Sequence, residues 1–226
     1  YGSSPDTAGN HQYFAMAVAG PLARTLDDVE LGWEAMIKPW YNQNKWLKVD
    51  ELKSLSQYKI AYLDEWHFGN DKIPISNTVK QKLQTLVDSL KSSGATMENV
   101  QLGNFTEMRQ MHMLLMAYMV FAEQPWLIRQ LIKREFESGT PLKIDLSEGL
   151  ERIGDIDKAE YDRILMRRDT LRAAMERFFR EYDFLILPIT PGPAFVKNPN
   201  HEPMAVDDVK MEYWDHFHYT MCFNAT

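Results

Sequence analysis

A short apolar run, an amphipathic segment and a second short apolar run follow one another over residues 59–102. The first run, 59–63, has the length and apolar character of a buried strand. The middle segment, 74–91, repeats apolar residues at helical spacing and ends just before Gly94, which suits the left-handed turn after a helix. The second run, 96–102, returns to the strand pattern. The sequence therefore predicts a strand–helix–strand unit and an α/β fold.

Two further helical regions have recognisable boundaries. The Thr25 hydroxyl can cap a helix whose first turn also holds the Asp28 carboxylate, three residues later. Apolar residues then recur at helical spacing until Pro39, where we expect this helix to end. The segment 105–132 is rich in methionine and apolar on nearly every face, which predicts a helix buried all round. Pro125 should break that segment in two.

The clearest helical pattern covers residues 158–182, where one apolar stripe runs along the whole segment. The arginines away from this stripe are most simply a solvated face. They are Arg167, Arg168, Arg172 and Arg180. A short apolar run at 184–187 follows at once and stops at Pro188, which predicts another buried strand. With no internal repeat or long linker, the sequence favours one domain portion over two domains.

The composition excludes several classes of function. With 25 Lys+Arg against 32 Asp+Glu, the net charge of −7 gives no electrostatic reason to bind nucleic acid or an anionic membrane. A single cysteine, Cys222, rules out an internal disulfide and a thiolate zinc site, and a reducing cytosol fits it best. No apolar run reaches the roughly 20 residues that a bilayer-spanning helix needs. We therefore expect a cytoplasmic protein without metal or other cofactor.

Four blocks carry a resemblance to a known family. Residues 20–28 read GPLARTLDD, and the strand–helix–strand unit of 59–102 follows. The long helix then leads into residues 182–194, which read YDFLILPITPGPA, and residues 219–224 read YTMCFN. Each block alone is a weak signal, but their order across most of the chain is specific. Together they resemble the amidase-signature family of hydrolases.

The resemblance implies a portion of the amidase-signature fold, in which helices cover both faces of a mixed central sheet. It places residues 1–226 in the C-terminal portion of a single domain, truncated at both ends. It also implies amide hydrolysis by a Ser–cis-Ser–Lys triad, in which an uncharged lysine relays the nucleophile's proton through the bridging serine. In the family these residues precede the block matched at 20–28. We therefore expect no catalytic residue in this chain and no turnover by the chain alone.

Several chemically suggestive groups have a simpler structural explanation. Gly2-Ser3-Ser4 lacks the following small residues and the preceding lysine of the family signature, so we interpret it as a loop. His216 and His218 lie two residues apart without a third ligand, which favours a polar surface or a hydrogen-bonded pair over a metal site. The neighbouring aspartates at 207–208 suit helix capping or loop solvation. Cys222 is expected to be a buried, inert thiol.

The substrate prediction depends on one departure from the glutamine-using relatives, the amidotransferase A subunits. In those proteins, an aspartate near the last block and an arginine on the central helix bind the zwitterionic substrate. Here the aspartate position falls on Phe217, and residues 111–119 contain no arginine. Burying a charged head group there would cost several kcal/mol, whereas burying the apolar group of an amide, ester or carbamate would favour binding. We predict a neutral or hydrophobic amide substrate, with Met113, Met116 and Phe217 as substrate-binding residues.

Two alternatives stay open. The chain could belong to the glutamine-hydrolysing A subunit of a tRNA amidotransferase, or it could be a non-catalytic binding or scaffold fragment. The expected partners are a small-molecule amide and the missing N-terminal half of the same domain, with no direct contact to nucleic acid or membrane. A homodimer is also compatible with the sequence.

Overall fold

A computed structural model describes residues 20–41, 54–68, 71–103, 105–121, 124–137 and 158–226. The chain divides into two compact units, Tyr1–Ser54 and Leu55–Thr226. Across this described part, no helix combines the length and the apolar character that crossing a membrane requires.

The first unit contains helix α1, Leu26–Tyr41. Its start is the predicted cap: the Asp28 N–H donates to Thr25 Oγ1 at 3.2 Å, and the Thr25 hydroxyl donates to Asp28 Oδ2 at 2.8 Å. The expected end at Pro39 is wrong, because the helix continues for two more residues. Proline removes only its own N–H donor, and the last turn of a helix tolerates one missing bond better than the interior does.

The centre of the second unit is a three-stranded parallel sheet. Its strands are β1, Lys59–Tyr62, β4, Thr96–Asn99, and β5, Phe184–Ile186, in the order β4–β1–β5. Helix α2, Asn77–Ser92, lies between β1 and β4 in the chain, so the predicted strand–helix–strand unit and the α/β class are confirmed. In the described part, β5 pairs on one side only and Phe184 is 50% exposed. It is therefore an edge strand here, and the prediction of a buried strand is wrong for it.

A compact apolar cluster joins the sheet to α2. Leu83 and Val87 on one face of α2 pack against Tyr62 of β1, with Met97 and Ile186 of the two outer strands alongside. Full burial of side chains of this size stabilises a fold by about 1.5–3 kcal/mol each. The helix ends in a turn in which Gly94 takes a φ of +96°, as its position in the sequence predicts.

Lys59 ties the three strands together at the start of β1. Its N–H donates to Asp183 Oδ2 at 2.9 Å, and the Asp183 N–H donates to the Lys59 carbonyl at 2.8 Å. The Lys59 ammonium meets Glu181 at 2.9 Å and Glu98 at 3.2 Å, and these carboxylates raise its pKa. It also lies 4.3 Å from the centre of the Tyr182 ring.

Two antiparallel ribbons were not predicted from the sequence. One pairs β2, Trp66–Phe68, with β3, Asp71–Ile73, and the other pairs β6, Met204–Val206, with β7, Val209–Met211. Each strand has only three residues, too few for an alternating pattern to stand out. Trp66 is buried against the rings of Phe105 and Tyr219, so aromatic packing holds the first ribbon in place.

Pro125 separates helix α3, Phe105–Phe121, from helix α4, Trp126–Glu137, as predicted. The described side chains of α3 are buried or half-buried. For α4 the prediction of burial on all sides is wrong, since Trp126 is 66% exposed and Leu127 and Leu131 are exposed too. Beyond Pro125 the sequence mixes arginine, lysine and glutamine with the apolar residues, and such a pattern belongs to a surface helix.

Helix α5, Lys158–Glu181, confirms the longest predicted helix. Ile164 and Leu171 of its stripe are buried. Arg167 lies on the surface and pairs with Glu107 of α3 at 3.4 Å. Arg168, by contrast, is half-buried, and burial lowers its pKa, so the interpretation of a solvated arginine face is wrong at this position.

The turn between β3 and α2 is held by residues from the far end of the chain. The Tyr219 hydroxyl lies 3.3 Å from the Ile73 carbonyl and 3.2 Å from the Pro74 carbonyl, so it can donate to either. The Ser76 N–H donates to the Pro191 carbonyl at 2.7 Å. The first N–H of α2, on Asn77, donates to Asp207 Oδ2, also at 2.7 Å. Asp207 therefore caps α2 from the turn of the β6–β7 ribbon, as the capping interpretation of the paired aspartates predicts.

Replacement of Asp207 should destabilise the protein in a graded way. Asp207 has a φ of +50°, so Asp207→Ala loses the cap and strains the backbone, Asp207→Gly loses only the cap, and Asp207→Asn keeps both features in part. We expect Asp207→Ala to lower the free energy of unfolding by about 2 kcal/mol and Asp207→Gly by about 1 kcal/mol. Urea unfolding measures both. The neighbouring Asp208→Ala is the control, and equal effects at both positions would contradict the cap.

Candidate wall of the active site

The predicted substrate-binding residues lie on two segments that pack together. Met113 is buried on α3, and Met116 is half-buried one turn later on the same side of the helix. Phe217, also half-buried, ends the 3₁₀ helix Tyr213–Phe217, and its ring centre lies 5.4 Å from that of Tyr213. Helix α6, His218–Met221, and the 3₁₀ helix Cys222–Ala225 follow, and both pack against α3. Substrate binding by the three residues stays a prediction.

An ion pair links α3 to the 3₁₀ helix that carries Phe217. Arg109, one turn before Met113 on α3, has its guanidinium 3.7 Å from the carboxylate of Asp215. The Arg109 side chain is almost fully buried, and that of Asp215 is about one-third exposed. The pair lies just outside residues 111–119 and position 217, where the resemblance to the glutamine-using relatives predicts the arginine and the aspartate. Since two segments over 100 residues apart form the pair, the spacing within either gave no signal for it.

His112 is a buried imidazole on α3. The side chain is 3% exposed, and neither ring nitrogen has a hydrogen-bond partner in the described part of the protein. Burial lowers its pKa from 6.5 to about 4, so the ring is neutral near pH 7. A neutral imidazole has one donor and one acceptor nitrogen, and leaving both unmatched in a protein interior is costly.

His216 is buried as well, which makes the prediction of a polar surface wrong at this position. Burial lowers its pKa, and a hydrogen bond with the backbone of Met204 acts in the opposite direction. Its ring centre lies 6.3 Å from that of Phe195. The His218 side chain lies outside the described residues. Among the residues that are described, no group of His, Cys, Asp and Glu could hold a metal ion.

Cys222 has the environment expected of an inert thiol. It is buried beneath α3, with Sγ 3.9 Å from the Tyr219 carbonyl. Burial raises the pKa of the thiol, which disfavours the nucleophilic thiolate. Gly2-Ser3-Ser4 lies outside the described residues. The absence of a catalytic residue from this chain therefore stays a prediction.

Comparison with known proteins gives a match to the Amidase family model over residues 1–226. Among solved structures, the chain is similar to a fatty acid amide hydrolase, with 20% identity and a TM-score of 0.64 over 96% of this chain and 36% of that one. It is also similar to a bacterial aryl acylamidase of the amidase-signature family, with 16% identity and a TM-score of 0.56 over 92% and 44%. A search of curated proteins gives no match.

These similarities confirm the predicted amidase-signature fold. At identities of 20% and 16% the solved structures support the fold alone. The chain spans about two-fifths of the length of either one.

His112 should make the protein less stable in acid. Between pH 6.5 and about 4, the unfolded chain binds a proton at this residue that the folded chain does not. The free energy of unfolding should therefore fall as the pH is lowered through this window, by about 3 kcal/mol in total. Chemical unfolding at several pH values measures how steeply the free energy of unfolding changes with pH.

The variant His112→Met should remove most of the pH dependence of the free energy of unfolding in this window. It should not destabilise the protein at pH 7, because no hydrogen bond is lost. A residual slope is expected from His216, whose pKa is also lowered. The matched control is His67→Gln, since His67 lies on the surface, 3.6 Å from Glu65. If His112→Met and the unmodified protein respond equally to acid, burial of the neutral ring is not the cause.

Proposed function

Because the chain belongs to the amidase family, whose model matches it over residues 1–226, we propose that the intact protein hydrolyses amide bonds. The match over the whole chain is the observation that carries this proposal. The chemistry is nucleophilic: a serine attacks the amide carbonyl, and a lysine takes its proton through a bridging serine. Backbone N–H groups stabilise the oxyanion that forms. These residues lie in a part of the domain that precedes Tyr1.

The substrate of this reaction is a neutral or hydrophobic amide, with esters and carbamates as further candidates. Support comes from the apolar character of the three predicted residues: Met113 is buried, and the half-buried Met116 and Phe217 keep some apolar surface for an acyl or aryl group. The two similar solved structures are named for enzymes of fatty acid amides and aryl acylamides, both of which carry apolar groups. Residues 1–226 contribute scaffold and pocket wall in a single cytoplasmic domain.

Glutamine hydrolysis is the second candidate, and the pair of Arg109 and Asp215 favours it. An arginine and an aspartate are the groups that a zwitterionic amino acid requires. Here each faces the other at 3.7 Å, so a charged substrate would first have to separate them. Breaking a largely buried ion pair costs several kcal/mol. We therefore rank glutamine below an apolar amide.

Turnover by the intact protein tests this ranking. We expect hydrolysis of an aryl or fatty acyl amide, little hydrolysis of glutamine, and none of either by the isolated 226-residue chain. Release of the amine, or of ammonia from glutamine, measures each rate. Robust glutaminase activity would reverse the substrate ranking. Turnover by the isolated chain would mean that the catalytic residues lie within residues 1–226.

A charge introduced into the wall should weaken substrate binding. Met116→Glu places a carboxylate on the half-buried face of α3, and its desolvation should raise KM for an apolar amide at least about tenfold, equivalent to 1.4 kcal/mol. The control is Met166→Glu, since Met166 is 70% exposed on α5 and should tolerate the change. Steady-state kinetics on one amide series measures both variants. Equal KM values for Met116→Glu and the unmodified enzyme would remove Met116 from the pocket.

A further inference from the structure

A partly enclosed cavity of about 150 Å³ lies between the start of α3, the second half of α5 and the loop after β4. Most of its lining side chains are apolar, and its mouth at Gly103 is open to solvent: Leu102 comes from the loop, Met108 from α3, and Met175 and Phe178 from α5. Gln101 supplies the one polar side chain of the described lining, and it is exposed. None of these residues has been assigned a part in amide hydrolysis.

The walls are held in place by contacts outside the cavity. The Phe178 ring stacks on that of Tyr182, with centres 4.8 Å apart, and meets Phe179 edge to face. Next to the fully buried Met108, Glu107 pairs with Arg167 and so links α3 to α5. The cavity is therefore preformed, and a ligand would not have to order its walls on binding.

Gly103 lies at the mouth of the cavity and is exposed. A Cβ atom added there would meet no heavy atom of the described residues within 4 Å. Its φ lies outside the left-handed region that favours glycine, so the backbone has no need of a glycine here. A larger side chain at this position therefore has room, and we expect it to obstruct the mouth of the cavity.

We propose that this cavity is a binding site for one compact, uncharged apolar group of about the size of a benzene ring. An enclosed apolar cavity of about 150 Å³ in another protein binds benzene, so the volume here suits one ring, and the thioethers of Met108 and Met175 make favourable contacts with aromatic rings. An ionised ligand would lose its hydration without gaining a countercharge from the lining. The site needs no catalytic residue, so it does not depend on the proposed function.

Nuclear magnetic resonance of the intact protein, with ¹³C-labelled methionine methyl groups, tests the site directly. Titration with benzene should shift the signals of Met108 and Met175 in a saturable way. The signal of Met166, exposed elsewhere on α5, should not move. Benzoate, which adds a charge to the same ring, should produce smaller shifts at the same concentration. The proposal is overturned if benzene leaves Met108 and Met175 unmoved, or if benzoate shifts them equally.

Variants with a larger side chain at the cavity provide a second test of the binding site. Gly103→Leu should abolish the benzene-induced shifts, and Gly103→Ala, a milder change, should weaken binding without abolishing it. Gly20→Leu is the matched control, because an added Cβ there also meets nothing within 4 Å, and it should leave binding intact. The signal of Met111, which is fully buried on α3, should keep its position in each folded variant. Should Gly103→Leu fail to fold, Gly103→Ala decides: unchanged affinity in that folded variant places benzene elsewhere.

Discussion

The paired hydrogen bonds between Lys59 and Asp183 set the geometry on which the second unit depends. They join the start of β1 to the junction of α5 and β5, and so place Ile60 opposite Phe184. A slip of one residue would turn every side chain of β5 to the other face of the sheet. Because the Lys59 ammonium also bridges carboxylates from α5 and β4, one residue fixes the position of three elements.

Helix α3 carries both the apolar and the ionisable side chains that matter for the proposals above. The substrate proposal depends on two of its methionines, Met113 and Met116, while Arg109 and His112 introduce polar groups into the same helix. Arg109 has its counterion in Asp215, whereas His112 relies on being neutral. The N-terminal part of α3 also borders the cavity at Met108. The substrate proposal and the cavity proposal thus both depend on one helix.

Local patterns predicted the elements whose signals lie within one segment. The capping pair Thr25 and Asp28, the turn at Gly94 and the break at Pro125 depend on backbone chemistry close by in the sequence. The sequence missed features that need a distant partner, such as the pairing of Arg109 with Asp215 and the burial of His216. The exposed α4 and the half-exposed β5 were misjudged for a similar reason, because apolar composition alone does not identify the neighbouring surface.

The cap that Asp207 provides to Asn77 has a consequence for synthesis of the chain. The two residues are 130 positions apart, and a ribosome adding about 5–20 residues per second needs on the order of 10 s to cover that distance. During this interval α2 can form with its own Ser76 cap. Its first N–H, however, has no bond to Asp207 until the β6–β7 turn has been made. In the nascent chain, water must therefore take the place of the Asp207 carboxylate at the start of α2 until the C-terminal segment has been synthesised.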